Sequence, residues 1–213
     1  MSASCCRQEH KFDGMSPVYM RVLWVVIAIN ATMFCIEMAA GVMAGSQALQ
    51  ADALDFLGDT LTYGLSLYVI GKSLRARTAA ALFKGVTLAL MGLWVFGDTL
   101  YAVLVLGVPR AEIMGLVGFL ALAANLASVL LLLRFRNGEA NVRSVWLCSR
   151  NDAIGNVAVI LAASGVWASG TAWPDLVVAA AMAGLFLWSA TLIILQAVRE
   201  YRQRGELVAE GSS

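Results

Sequence analysis

Two pairs of potential metal ligands stand out in the sequence, each with its members four residues apart. Asp55 and Asp59 lie in the stretch ADALDFLGD, and Cys148 and Asp152 lie in WLCSRNDAIGN. Side chains at positions i and i+4 lie one above the other on one face of a helix, so each pair can reach a common point. If the two segments pack together, they supply four ligands for a tetrahedral metal site.

The donor set indicates which ion would bind. Three hard oxygens and one soft sulfur in a tetrahedral arrangement suit Zn²⁺, whereas Mg²⁺ and Ca²⁺ prefer shells made of oxygen alone. We therefore expect Zn²⁺ or Cd²⁺ first, followed by Co²⁺ or Fe²⁺. Each pair also has a simpler interpretation, since an acidic pair can act as a polar clamp between helices and Cys148 alone can be a packing residue. The two matching pairs together favour the metal site.

The composition around these pairs is that of an integral membrane protein. Of the 213 residues, 60% are hydrophobic and 14% are charged, and the apolar runs are long enough to cross about 30 Å of hydrocarbon. Only short linkers separate these runs, which argues against a soluble two-domain protein. The formal net charge of +1 gives no indication of nucleic-acid binding. The N-terminal segment lacks the pattern of a cleaved targeting peptide, so we expect it to be retained.

The hydropathy pattern predicts an all-α membrane protein, a bundle of six transmembrane helices. The predicted spans are Pro17–Ala44, Gln47–Gly71, Ala79–Gly107, Ala111–Leu133, Ser144–Ser169 and Trp173–Val198. Lysine and arginine concentrate after the second, fourth and sixth spans, while the opposite loops hold only Arg110. By the positive-inside rule, both termini are cytoplasmic.

Away from the span ends, three further carboxylates lie within the predicted spans, at Glu37, Asp52 and Asp98. Asp52 is three residues before Asp55 and shares its helix face. Carboxylates inside a membrane face the bundle interior or a wet cavity, and by default they mark an ion or proton pathway.

The other charged or reactive residues of the spans have simpler interpretations. Lys84 is close to a predicted cytoplasmic end, so its side chain can snorkel to the interface. Arg150 lies between two predicted ligands but on another helix face, and we expect it to pair with Glu37 or with a lipid headgroup. Cys35 has no acidic neighbour at a ligand spacing and is expected to be a core residue.

These motifs resemble those of the cation diffusion facilitator, or cation efflux, family of divalent-metal/proton antiporters. That family has six membrane helices with cytoplasmic termini, and a tetrahedral site built from an (H/D)xxxD pair on helix two and another on helix five. LQADALDFLGD is similar to the first motif and NVRSVWLCSRNDAIGNV to the second, with Cys148 where the family usually has His or Asp. The resemblance covers about residues 17–200. Weaker similarities lie at Asn30, Glu37, Gly41, Asn125 and Asp175.

The resemblance implies a domain organisation and an activity. Residues 17–200 would form a six-helix transport domain between cytoplasmic tails at 1–16 and 201–213, without the family's usual C-terminal domain. The protein would export Zn²⁺ or Cd²⁺ in exchange for protons, by alternating access around the tetrahedral site. It would act as a homodimer held by its membrane helices in a bacterial inner membrane. The metal would be its cargo, with no prosthetic group.

The chemistry of other residues suggests supporting roles in such a transporter. Asp52, Glu37 and Asp98 would serve as accessory residues or proton relays. At the N-terminus, the only histidine follows a cysteine pair, and the three side chains could hand a soft metal to the cytoplasmic entrance. These residues are Cys5, Cys6 and His10. The alternative is a disordered tail with incidental thiols.

Two other functions remain open. The first is a membrane-embedded metal sensor or assembly subunit that binds the ion without moving it. The second is a small-molecule/proton antiporter, although a thiol ligand adds nothing to binding a bulky organic cation. We do not expect an enzyme, because the sequence holds no nucleophile–base pair and no H-E-x-x-H motif.

Overall fold

The computed structural model of the protein describes residues 16–69, 74–105, 107–136 and 140–210. Within these ranges the chain forms six α-helices and no β-strand. The helices are α1 (Pro17–Ala44), α2 (Gln47–Val69), α3 (Leu74–Val105), α4 (Ala111–Leu132), α5 (Ala140–Ser169) and α6 (Trp173–Glu210). A short 3₁₀ turn, Leu133–Phe135, follows α4. The all-α prediction is confirmed for this part of the chain, while Cys5, Cys6 and His10 lie outside the described residues.

The helix ends differ from the predicted spans where the chain is polar. α1 has the predicted bounds and α4 is one residue shorter, but α3 and α5 begin several residues before the predicted spans. α6 continues to Glu210, through most of the segment that was predicted as a C-terminal tail. Hydropathy detects only the apolar part of a helix, whereas the backbone hydrogen bonds continue into the Arg-rich ends.

Five of the described helices are long and apolar enough to cross a membrane. These segments are Pro17–Ala44, Ala79–Val105, Ala111–Phe135, Cys148–Ser169 and Trp173–Arg199. α2 is not among them, because every stretch of it that is long enough contains all three aspartates. The outer surface of the other helices carries large exposed apolar side chains, such as Leu104 and Trp167, as expected for contact with lipid.

The six helices pack as two groups that α2 joins. α1 packs against α2 and α4, and α4 packs against α5, whereas α3 packs chiefly against α6. α2 also contacts α3, α5 and α6, so it lies between the two groups. Small residues permit the close approach of α3 and α6: a Cβ atom at Gly92 would lie only 2.9 Å from Leu187 Cγ. Close backbone approach of this kind is common between membrane helices.

The start of α2 is held by a side chain from α6. Gly45 ends α1 with a φ of 68°, and Ser46 then caps α2 by accepting a hydrogen bond from the Leu49 N–H at 3.1 Å. The carboxylate of Asp175 accepts hydrogen bonds from the Ser46 hydroxyl at 2.6 Å and from the backbone N–H groups of Gln47 and Ala48 at 2.8 and 3.1 Å. A negative group at a helix N-terminus also interacts favourably with the helix dipole. Asp175 therefore positions the helix that carries the predicted ligands.

Candidate metal site

A cavity of about 480 Å³ lies between α2, α3, α5 and α6. All four predicted metal ligands line it: Asp55, Asp59, Cys148 and Asp152. Each of the four is half-buried, so its side chain is within the bundle but still borders open space. The structure thus brings the two i,i+4 pairs of the sequence to one place, although almost ninety residues separate them along the chain.

The orientation of α2 follows from apolar contacts on either side of it. Ala51 packs in a buried cluster with Met91 of α3 and Phe186 of α6, and Phe56 packs with Met33 of α1 and Ala121 of α4. These contacts fix the rotation of the helix about its axis. The face that remains, with the two aspartates, is turned towards α5.

The carboxylates of Asp55, Asp59 and Asp152 lie close together where α2 faces α5. The Asp152 carboxyl group lies close enough to Asp55 and Asp59 to interact with both, and its Oδ2 atom is buried without a partner among the described residues. The Tyr63 hydroxyl is close to Asp59 but makes no well-aligned hydrogen bond with any described residue. Carboxylates this close in a medium of low dielectric repel one another unless a cation or a proton lies between them.

The side chains do not form a finished coordination shell. Within the described ranges, no three His, Cys, Asp or Glu side chains are placed to hold one metal ion. The four predicted ligands share a cavity whose volume is far larger than a single ion needs. A tetrahedral site would therefore require their side chains to turn towards a common point.

Polar and apolar residues divide the rest of the cavity wall. The polar side chains come from four helices: Thr62, Lys84, Asn151 and Ser189. The α6 side is otherwise apolar, with Met182, Leu185, Phe186, Leu192 and Ile193. Lys84, which the sequence suggested would reach the membrane interface, lines the cavity instead. Sequence spacing could not reveal this, because Lys84 is on a helix with no predicted ligand.

Asp52 and Glu37 lie beside this cavity but are sealed from it. Asp52 accepts a hydrogen bond from Asn156 Nδ2 at 2.6 Å, and Asn156 Oδ1 accepts one from Asn125 Nδ2 at 2.8 Å. Glu37 is 0% exposed and lies against Asp52, while both its carboxyl oxygens lack a hydrogen-bond partner among the described residues. The four residues form a buried polar chain across α1, α2, α5 and α4. Asn156 was not singled out by the sequence pattern.

The remaining residues singled out in the sequence lie elsewhere. Asp98 is not among the residues lining the cavity. Leu88 does line it, and Asp98 lies about 15 Å further along the axis of α3. Of the two partners expected for Arg150, Glu37 is wrong: Arg150 is exposed, hydrogen-bonds to Asn151 at 3.4 Å and stacks on Trp146 at 5.5 Å. Its pairing with a lipid headgroup stays a prediction. Cys35, expected in the core, is exposed on α1. Both residues point outward because their helices present another face to the bundle.

Taken together, the fold and the cavity define a multi-pass helical membrane protein with an acidic, thiol-containing cavity between its helices. Residues 23–200 match the family model of the cation efflux transmembrane domain. The chain belongs to the cation efflux family, as its motifs indicated.

Two curated relatives have similar sequences. The chain is 29% identical over 188 residues to the metal cation efflux system protein CzcD of Cupriavidus metallidurans, and 28% identical over 188 residues to the cation efflux system protein CzcD of an Alcaligenes species. Each alignment covers 83% of this chain and 59% of the relative. The matched region therefore spans less than two thirds of the length of either relative.

Proposed function

We propose that the protein exports a divalent transition metal, Zn²⁺ or Cd²⁺, in exchange for protons. One observation carries the proposal: both predicted ligand pairs line a single cavity in a chain of the cation efflux family. The printed names of the two relatives, metal cation efflux and cation efflux system proteins, support a metal cation as the cargo. The sulfur of Cys148 favours a borderline or soft ion over Mg²⁺ or Ca²⁺.

Binding in this proposal draws the four side chains together. Asp55, Asp59, Cys148 and Asp152 turn into the cavity and coordinate the ion tetrahedrally, which replaces the repulsion among the carboxylates with attraction to the cation. Protons then compete for the same ligands, since metal affinity depends on their deprotonation. Alternating exposure of the cavity to the two sides of the membrane converts this competition into export.

In the proposed topology, the protein crosses the membrane six times and both termini lie in the cytoplasm. α2 crosses the membrane despite its aspartates because they face the interior of the bundle, where α1, α3, α5 and α6 shield them from lipid. The cation efflux family and the apolar helices support an integral membrane location, and the bacterial inner membrane is the membrane we propose. A homodimer held by the membrane helices, and the absence of enzymatic activity, remain predictions.

Flux in proteoliposomes tests the proposal. The purified protein is reconstituted with an imposed pH gradient, and the movement of Zn²⁺, Cd²⁺ and Mn²⁺ is followed with a metal-sensitive dye. We expect flux of Zn²⁺ and Cd²⁺ that falls when the pH gradient is collapsed. Asp59→Ala should abolish flux, and Cys148→Ser should lower flux of Cd²⁺ more than that of Zn²⁺, because Cd²⁺ prefers sulfur more strongly.

Two matched controls accompany these variants. Cys35→Ser makes the same chemical change at an exposed thiol, and Glu112→Gln removes an exposed carboxylate at the start of α4. Both should transport like the wild type. Unchanged flux in Asp59→Ala would refute the proposed site, and a preference for Mn²⁺ would refute the role given to the sulfur.

The same measurements separate the proposal from its rivals. Stoichiometric metal binding by the wild type without any flux would favour a sensor or an assembly subunit. Proton-coupled movement of organic cations without movement of metal would favour a small-molecule antiporter. The small-molecule antiporter does not explain why a thiol lies beside three carboxylates in the cavity, whereas the sensor uses the same ligands and is separated from the transporter by the flux measurement alone.

A further inference from the structure

Among the described residues that line the cavity, Lys84 is the only one whose charge opposes that of the predicted ligands. It lies on α3, is half-buried, and lines the cavity between α2, α3, α5 and α6. Its ammonium group is close enough to interact electrostatically with Asp55, Asp59 and Cys148. The positively charged side chain of Lys84 thus lies near ligands of both pairs, on a helix that contributes no predicted ligand itself.

The surroundings of Lys84 make this placement costly unless the charge has a partner. Its neighbours in the chain are apolar or small, with Phe83, Gly85 and Val86 beside it in the stretch ALFKGV. A lysine within an apolar helix normally extends its side chain to the interface or pairs with an acidic group. In this structure the acidic groups that offset its charge are those predicted to bind the cargo.

An ammonium group cannot itself be a metal ligand. It has three N–H donors and no lone pair, so it can interact with carboxylates but not with a cation. The long, flexible stem of lysine lets the charge move while the ligands stay on their own helices. Lys84 and a divalent cation are therefore alternative partners of the same negative groups.

We propose that Lys84 is an internal counter-ion of the cargo site, which stabilises the metal-free cavity and weakens metal binding. This inference rests on the proposed function. It names Lys84 as a residue that sets the affinity of the cargo site for metal and the rate at which the metal is released. When the ligands are ionised, Lys84 interacts favourably with three of them, Asp55, Asp59 and Cys148. A bound divalent ion cancels half of the charge of the four ligands, so the interaction with Lys84 is weaker in the loaded site than in the empty one.

This difference between the two states has a kinetic consequence. A cargo site of three carboxylates and a thiolate binds a transition metal tightly, and very tight binding slows release. A nearby positive charge raises the free energy of the loaded site, so the metal leaves faster. Lys84 would thus keep the site from trapping its cargo.

The test is the affinity of variants at position 84 for the metal alone. The full chain is purified in lipid nanodiscs, and the dissociation constants and release rates of Zn²⁺ and Cd²⁺ are measured at pH 8, where protons compete least with the metal. Lys84→Met should lower the dissociation constant by at least about tenfold and slow release by a similar factor. Lys84→Arg keeps the charge and should stay within about threefold of the wild type.

Arg150→Met is the matched control, because it removes one positive charge from a neighbouring helix at an exposed position. It should change the dissociation constant by less than about twofold, since exposed charges are screened. If Lys84→Met does not fold, Lys84→Gln removes the charge while keeping a polar side chain, and the same result is expected.

The outcomes for this inference and for the proposed function are distinct. Wild-type binding that is lost in Asp59→Ala but unchanged or weakened in Lys84→Met and Lys84→Gln overturns the role of Lys84 and leaves the transporter intact. Absence of metal binding by the wild type overturns both. An equal gain of affinity in Arg150→Met would mean that general surface charge, and not Lys84, sets the affinity.

Discussion

At the scale of single residues, the three aspartates of α2 have different surroundings. Asp55 and Asp59 border the cavity, whereas Asp52 is 2% exposed and accepts a hydrogen bond from Asn156. The first two border open space, and the third does not. Asp52 therefore belongs to the internal support of the bundle, where Asn156 links it to Asn125.

This linkage predicts a loss of stability when Asn156 is replaced by leucine. The Asp52 carboxylate and the Asn125 amide would each lose a buried partner, and each unsatisfied group costs about 1–3 kcal/mol. We expect a clear fall in the midpoint of thermal unfolding of the protein in detergent. Ser164→Ala on the same helix is the control, because Ser164 is exposed and bonds only to the backbone of its own helix. Equal midpoints for Asn156→Leu and wild type would contradict the role of the polar chain.

At the scale of helices, the contact between α3 and α6 depends on glycines facing larger side chains. A Cβ atom added at Gly92 would lie 2.9 Å from Leu187 Cγ and 3.2 Å from Phe186 Cβ, whereas one added at Gly97 would meet nothing within 4 Å. The two glycines are on the same helix. Only the first is required for the close approach of α6.

Alanine substitution at these two positions should therefore have opposite effects. Gly92→Ala forces α3 and α6 apart or displaces Leu187, which costs about 1–3 kcal/mol. Gly97→Ala adds a methyl group in open space and stabilises the helix by up to about 1 kcal/mol. Thermal unfolding of both variants under identical conditions checks this expectation. A larger loss at Gly97 than at Gly92 would mean that the two helices do not approach as described.

At the scale of the whole molecule, α2 is the helix least suited to lipid and the one most enclosed by others. Its contacts with α1, α3, α5 and α6 leave little of it on the outside of the bundle. A helix in this position can carry three aspartates because its neighbours, and not its own composition, provide the apolar surface that lipid requires. Counting apolar helices alone would assign five spans, and an odd number of spans places the two termini on opposite sides of the membrane.

A reporter experiment distinguishes five spans from six. With six, fluorescent protein fused to either terminus should be bright in bacterial cells, and alkaline phosphatase inserted after Gly107 should be active, because that loop would face the periplasm. With five, the two termini would lie on opposite sides of the membrane. A bright N-terminal fusion combined with a dark C-terminal one would refute the six-span topology.

The sequence by itself determined the local features of this protein. Helix positions follow from apolar runs, and the spacing of Asp55, Asp59, Cys148 and Asp152 follows from helical periodicity, since both depend on neighbours along the chain. All four residues line one cavity in the structure, and their binding of metal remains a prediction.

The tertiary structure alone decided which residues from different helices meet. Lys84 borders the cavity, Asn156 contacts Asp52, and Asp175 caps α2. No regular spacing of residues in the sequence predicts any of these contacts. Each depends on the rotation of one helix against another, which is set by side-chain packing over the whole bundle.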